Sequence, residues 1–251
     1  MARTHPPTLI TLARAAVRER ALIPRGAVVL AAVSGGPDST AMLHVLALLR
    51  DRLAFGLFAH GVDHGLRPQA GVELDLAETF ARSLDVPFTR SRLSVPPGGN
   101  LQARARTARW DALRQAAARA GADRIATGHH ADDRAETLLI RLLRGTRARG
   151  LGVLPPRDGD RIRPLYQARR RDVDAHIARH HLPFAVDPSN GDPRYLRTRV
   201  RRELLPALER LNPRVVEHLC QVADELFLAT AGAHTPRPPK PAGASGGLDA
   251  M

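Results

Sequence analysis

Apolar residues along this chain fall into two alternating kinds of run. Ala27 to Val33 (AVVLAAV) is continuously apolar, as in a strand buried on both faces. It stops at the glycine-rich turn Ser34 to Ser39, and from Thr40 to Arg50 the apolar positions take helical spacing. The alternation then repeats. Strands are predicted at 54–59, 87–93 and 124–127, and helices at 70–84, 100–120 and 132–144, with one more helix ahead of them at 8–20. Strands separated by helices of this length imply an α/β fold, a Rossmann-like doubly wound parallel sheet with the strand-end loops gathered along one edge.

After Gly145 the pattern changes. Gly, Pro and Arg dominate as far as Arg163, which predicts a loop, and a helix is predicted at 172–181. Asp187 to Tyr195 (DPSNGDPRY) is rich in turn residues and reads as a boundary; helices are predicted beyond it at 198–211 and 213–229, separated by Asn212-Pro213. The expected organisation is an α/β nucleotide-binding unit over 1–188, a helical appendage over 189–232, and a Pro/Gly/Ala/Ser tail over 233–251 that is expected to be disordered.

Charge narrows the chemistry. The 251 residues carry a formal net charge of +13, and Lys240 is the only lysine among 38 basic residues. A Walker-type phosphate loop needs a lysine in its Gly-Lys-Ser/Thr, and none is available; Lys240 lies in the tail, a poor place for a Schiff base. The single cysteine, Cys220, rules out an intrachain disulfide, a cysteine zinc site and an iron–sulfur cluster built from this chain. No apolar run approaches the ~18–20 residues of a membrane span, and the first 22 residues lack a signal-peptide core, so the expected location is cytoplasmic with no membrane partner. The excess of arginine points to an anionic partner, nucleic acid first, with coding bias as the plainer alternative.

The strongest local signal is strand, then Ser34-Gly35-Gly36-Pro37-Asp38-Ser39, then helix. Glycines let backbone N–H groups approach an anion at a helix N-terminus, where the dipole adds positive character, and no lysine is required. An ordinary turn capped by Asp38 or Ser39 is the alternative. Asp132, Asp133 and Glu136 sit at the start of a predicted helix, with Asp133 and Glu136 on one face, where carboxylates can hold Mg²⁺ or an ammonium group. Helix-dipole stabilisation by acids in a first turn is the other reading. Arg106 and Arg109 lie i, i+3 on one helix; Arg144, Arg147 and Arg149 occupy a glycine-bearing loop; Arg197, Arg199, Arg201 and Arg202 form a further cluster. Each suits phosphate or RNA contact, and each also suits a solvated basic face. His176 and His180 have the i, i+4 spacing of metal ligands but show no third ligand, so a surface or packing role is expected. Cys220 is expected in the core.

Five stretches together resemble one family. Ser34 to Ser39 is similar to the SGGxDS loop of the N-type ATP pyrophosphatases. Val62 to Arg67 (VDHGLR), Ala105 to Trp110 (ARTARW), Gly128 to Thr137 (GHHADDRAET) and Asp187 to Pro206 resemble, in order, segments of the tRNA(Ile)-lysidine synthase family. Ser189, Thr198, Gly61 and Trp110 depart from that family's usual residues without removing a catalytic group. The tail stands where many members carry further C-terminal domains, so the resemblance implies a short form. It also implies an adenine nucleotide alpha hydrolase-like fold with a C-terminal helical appendage. The implied activity is ATP-dependent adenylation of O2 of cytidine 34 in the CAU anticodon of tRNA(Ile), followed by attack of free L-lysine and release of AMP. Implied ATP contacts are Ser34, Gly35, Gly36, Pro37, Asp38, Ser39, His64 and His129, with Mg²⁺ on Asp38 and Asp132. The catalytic set is Asp38, Asp132, Asp133 and Glu136. Lysine is assigned to Asp133, Glu136 and Arg106, and tRNA to Arg109, Arg144, Arg147, Arg149, Arg197, Arg199 and Arg201. The oligomeric state stays open, a homodimer included.

Overall fold

The structure is a computed structural model that describes residues 7–63, 70–93, 101–186, 192 and 194–231. Strand β1 (Val28–Val33) is its centre, with five of six residues buried, as the unbroken apolar run requires. It pairs in parallel with β2 (Gly56–Asp63) on one side and with β4 (Arg124–Ala126) on the other; β3 (Phe88–Arg92) continues the sheet beyond β2. Two further strands, β5 (Arg157–Asp158) and β6 (Arg161–Ile162), complete the order β3-β2-β1-β4-β6-β5, in which only the β5–β6 pair is antiparallel. These two lie inside the stretch expected to be loop. Their segment holds one apolar residue, Ile162, which is fully buried, so no period of two could announce them.

Helices cover both faces. Alternate residues of β1 point opposite ways: Val29, Ala31 and Val33 join a core with helices α1 (Leu9–Glu19), α2 (Pro37–Leu53), α3 (Ala70–Ser83) and α6 (Arg170–His180). Leu30 and Ala32 join Trp110, Leu113, Ala116 and Ala117 of α4 (Leu101–Arg119) on the other face. Trp110 also carries the guanidinium of Arg161 4.0 Å above its ring, a cation–π contact that ties α4 to β6.

Beyond the sheet, α5 (Ala131–Leu143) shares a core with the C-terminal helices: Ala131, Ala135 and Leu139 pack with Val200, Leu205, Val216 and Cys220. Helix α9 (Val215–Ala231) lies along α5. The single helix expected over 198–211 is instead α7 (Leu196–Arg199), a π-helical turn at Val200–Leu204, and α8 (Leu205–Leu211). Pro206 accounts for the interruption. It has no N–H to donate to a carbonyl one turn back, and a wider π turn accommodates the missing bond. The charged contacts between α5 and α9 are as specific as the apolar ones: Arg134, 2% exposed, is ion-paired with Asp224 of α9.

Candidate active site

From β1 the chain crosses to β2 on one side; from β4 it crosses to β6 on the other. The loops after β1 and β4 therefore diverge, and a crevice opens between them at the carboxyl ends of the strands. A cavity of about 800 Å³ occupies that position. Ser34, Gly36, Pro37, Asp38 and Ser39 line one side; Thr127, Gly128, His129 and Asp133 line another, and Arg109, Arg170, Arg197 and Arg201 supply cations.

The turn after β1 is tightly determined. Gly35 has φ +81°, and a Cβ there would meet the carbonyl oxygen of Glu73 at 2.5 Å, so both conformation and space demand glycine. Its carbonyl accepts the N–H of Ala185 at 2.9 Å. Ser39 Oγ accepts the N–H of Ser34 at 3.2 Å and donates to Gly36 O at 3.0 Å, closing the turn on itself. Pro37 sits in the first turn of α2, and no side chain caps that helix end. The positive end of a 17-residue helix is thus aimed into the cavity.

Asp38 and His130 meet behind this turn. Asp38 Oδ1 and His130 Nε2 are both buried without a hydrogen-bond partner and lie 3.6 Å apart. Burial, partly offset by His130, raises the carboxyl of Asp38 above its ordinary pKa. His130 is the N-cap of α5 and forms a reciprocal box with Asp133, whose N–H it accepts at 3.4 Å while Asp133 Oδ2 accepts the His130 N–H at 3.1 Å. A partly exposed carboxylate with one unsatisfied oxygen, in the first turn of an uncapped helix, fits Mg²⁺, which characteristically takes one or two carboxylates plus substrate oxygens. Asp132 does not fit it in the same way. Its carboxylate is gripped by Arg169 Nε and Nη2 at 3.1 and 2.9 Å and by the Arg170 N–H at 2.7 Å, and it does not line the cavity. Burial opposes ionisation of Asp132, yet these donors hold its pKa below the usual range.

Asp133 and Glu136 are brought together on α5, as their spacing requires, and both face arginines from the segment after Tyr195. Glu136, 1% exposed, accepts Arg197 Nε at 2.9 Å and Arg201 Nε and Nη2 at 2.6 and 3.0 Å. Arg197 Nη2 also reaches Asp133 Oδ1 at 2.7 Å. Burial alone would raise Asp133, but His130 and Arg197 bring it down to about 2. Only Asp133 of the two reaches the cavity. His129, against Thr127 Oγ1 at 2.9 Å, is pushed down to about 4 by burial, with Arg163 and Arg197 acting in the same sense, and is neutral at pH 7.

Other expected site residues are placed differently from one another. Arg109 lines the cavity, and burial and then Arg106 lower its pKa; Arg106 is exposed one turn away and lines no part of the cavity. Arg144, Arg147 and Arg149 are exposed around the 3-10 turn Ala148–Gly150, and Arg199 is exposed beside Glu203. Arg197 and Arg201, read from sequence as RNA contacts, are bonded to the carboxylates of Asp133 and Glu136. His64 lies outside the described residues, as do Asp187 to Gly191 and the tail. The sequence reading missed Arg169 and Arg170, the apolar wall Phe184–Val186, and Tyr195. An Arg169-Arg170-Arg171 run gives no sign that its first member will meet Asp132; only the fold brings them together.

Residues 13–208 match the PP-loop domain family. A tRNA(Ile)-lysidine synthase of Thermobifida fusca (strain YX) is 42% identical over 226 residues, 87% of this chain and 68% of that protein. One of Symbiobacterium thermophilum is 39% identical over 230 residues, 87% of this chain and 47% of that protein, and one of Pseudomonas aeruginosa is 40% identical over 201 residues, 78% and 45%. The chain thus spans about half the length of most of the curated relatives named here. Among solved structures, the U34-tRNA thiolase NcsA from Methanococcus maripaludis, with its 4Fe–4S cluster, superposes with a TM-score of 0.73 at 20% identity, over 88% of this chain and 80% of that one, a likeness of fold. A glycine turn at an uncapped helix end, carboxylates across the same crevice, and relatives of this identity lead to one conclusion: the chain belongs to the tRNA(Ile)-lysidine synthase family of PP-loop proteins.

Proposed function

We propose that this protein ligates free lysine to C2 of cytidine 34 in the CAU anticodon of tRNA(Ile), spending ATP to AMP and pyrophosphate. One observation carries the reading: the uncapped end of α2 and the carboxylate of Asp133 open into the same cavity, so an anion seat and an ammonium seat face each other across one crevice.

The chemistry needs that pairing. The C2 carbonyl of cytosine is a poor electrophile with a poor leaving oxygen. Attack of O2 on the α-phosphate of ATP expels pyrophosphate and converts O2 into part of an AMP leaving group. The ε-amine of lysine then attacks C2, and AMP departs. The protein's share is positioning and charge stabilisation. The N–H groups at the start of α2, with Ser34 and Ser39, receive the departing pyrophosphate, and Arg109 and Arg170 add fixed positive charge. Asp38 would hold Mg²⁺, which supplies charge neutralisation at the phosphates. Asp133, with Glu136 behind it, receives the lysine ammonium, for which it competes with Arg197. Asp132 acts through Arg169, fixing the start of α6 against α5. The apolar wall Phe184–Val186 and Tyr195 give an unstacked base an exposed apolar surface to pack on. Arg106, Arg109, Arg144, Arg147, Arg149 and Arg199 carry the contact with tRNA. No helix among the described residues is long and apolar enough to cross a membrane, and action in the cytoplasm, where tRNA is modified, follows from the reading.

A tRNA thiolase on the same fold is the rival. Cys220 is the only cysteine, it is buried, and burial pushes its thiol up to about 11, so it offers neither a cluster ligand nor a ready nucleophile. Lysine-dependent release of pyrophosphate from ATP on a CAU-anticodon tRNA(Ile) tests the proposal, with Asp133→Asn and Glu136→Gln expected to raise the lysine KM. Absence of lysidine beside an active control defeats the function; an unchanged lysine KM in both variants defeats the assignment of the ammonium seat.

A further inference from the structure

Away from the cavity, the metal-ligand spacing of His176 and His180 finds the third member that the sequence did not show. His44 of α2 faces them across the α2–α6 contact. Among the described residues, His44, His176 and His180 are the group whose ligand atoms come close enough to share an ion, all within 4.8 Å of one another. His44 Nδ1 and His176 Nε2 are 2.9 Å apart, and the three rings cluster with centroids 4.5 to 5.1 Å apart, each pair tilted by 48° to 53°. We propose that His44, His176 and His180 form a binding site for a divalent transition-metal ion of the zinc type, with solvent in the fourth position.

The geometry needs little adjustment. Metal–nitrogen bonds of 2.0–2.1 Å at tetrahedral angles place ligand nitrogens about 3.3 Å apart. One pair already stands slightly inside that distance, and His180, exposed at the end of α6, closes the third side by rotating its side chain. The proton now shared between His44 and His176 moves to the outer nitrogen of its ring, which frees both inner lone pairs. The donor set is chemically suited. Burial lowers the pKa of His44 and, with His180 beside it, that of His176, so both present neutral imidazole, the ligating form, at pH 7. Three imidazoles without a carboxylate select zinc, copper or nickel over magnesium or calcium. Phe80 closes the apolar side, its ring 6.2 Å from that of His44. The ion would clip α6 to α2, the helix whose first turn carries Asp38. The site uses none of the residues assigned to ATP, lysine or tRNA, so it stands or falls independently of the proposed reaction.

The test uses tag-free protein stripped with EDTA and titrated with Co²⁺, read by the visible absorption of four-coordinate cobalt and by displacement with Zn²⁺. One equivalent per chain is expected, with the melting temperature raised by saturating Zn²⁺. His180→Ala, at an exposed position that leaves the fold intact, should weaken Co²⁺ binding by at least about tenfold, the least that even an outer-shell partner costs, and abolish the rise in melting temperature. His176→Ala should do the same. Protein that gives no four-coordinate cobalt spectrum up to millimolar Co²⁺ overturns the proposal. So does a one-equivalent site that survives both substitutions unchanged.

Discussion

Gly128 makes a sharp test of how the site is assembled. A Cβ there would lie 2.7 Å from the carbonyl oxygen of Asp38, 2.8 Å from its carbonyl carbon and 3.0 Å from the nitrogen of Ser39. All three are backbone atoms, and none can swing away as a side-chain end does. An ordinary contact begins at 3.4 Å, so Gly128→Ala must push the β4–α5 loop off the first turn of α2 by about 0.7 Å. Gly128 is not among the glycines with positive φ, so the cost is one of space alone. Overpacking of this kind costs about 1–3 kcal/mol. The same shift moves Asp38 relative to Asp133. A misplacement of about 1 Å can cost on the order of 100-fold in rate, so a tenfold or greater fall in kcat/KM for pyrophosphate release is expected. Urea denaturation and lysine-dependent pyrophosphate release read the two effects. Gly71→Ala is the control: it sits in α3 with nothing near its would-be Cβ, and alanine there should hold or raise stability by up to about 1 kcal/mol with activity unchanged. If Gly128→Ala matched the parent in both stability and kcat/KM, close stacking of the two loops would not be what sets the site.

Other outcomes follow from burial and charge. His60, between Thr89 and Ser91, and His129 are both held near pKa 4 by burial. Between pH 4 and 6.5 the unfolded chain therefore binds protons that the fold refuses. Stability should be fully present above about pH 6.5 and fall toward pH 4, by at most about 1.4 kcal/mol per pH unit for each group, and His60→Gln should flatten that slope in urea titrations. Cys220, buried with its thiol at about 11, should resist a thiol reagent in native buffer and react at once in denaturant. Asp224→Asn should cost about 2–3 kcal/mol in chemical denaturation by stranding the buried Arg134, less than the ~3–5 of a fully enclosed pair because Asp224 is partly exposed. Arg147→Ala should leave stability unchanged and lower the salt slope of tRNA binding by about 0.7–0.9, the share of one phosphate contact; an unchanged slope would remove that loop from the RNA surface.

Legibility in the sequence followed the kind of signal each part carries. The β1 strand was readable because a strand buried on both faces must be apolar throughout, and α1 because its buried Leu9, Ala13, Ala16 and Val17 form one stripe. The glycines of the first turn were readable because only glycine satisfies Gly35's φ and its contact with Glu73. The β5–β6 hairpin was not, since two-residue strands leave no period to detect. The π turn before Pro206 was hidden because the residues around it keep helical spacing. The site divides the same way. Asp133 and Glu136 share a face by local arithmetic, which a sequence displays. Their partners Arg197 and Arg201 lie more than sixty residues away and are set by tertiary packing.

That packing changes what the basic composition means. A net charge of +13 invites the picture of a uniformly cationic surface. Yet several arginines are engaged by the protein itself: Arg134 on Asp224, Arg163 on the Pro155 carbonyl and Arg169 on Asp132 and Glu209 inside it, and the more exposed Arg197 and Arg201 on Asp133 and Glu136. Arginine suits these places better than lysine would, because its planar fork meets both carboxylate oxygens at once and its charge survives burial. Each of these carboxylates is thereby oriented, at the cost of standing already engaged. Of these groups only Asp133, Arg197 and Arg201 line the cavity, so the lysine ammonium proposed for that seat would compete with arginine for the carboxylate. The proposed lysine therefore takes the place of one half of a salt bridge that the protein forms with itself.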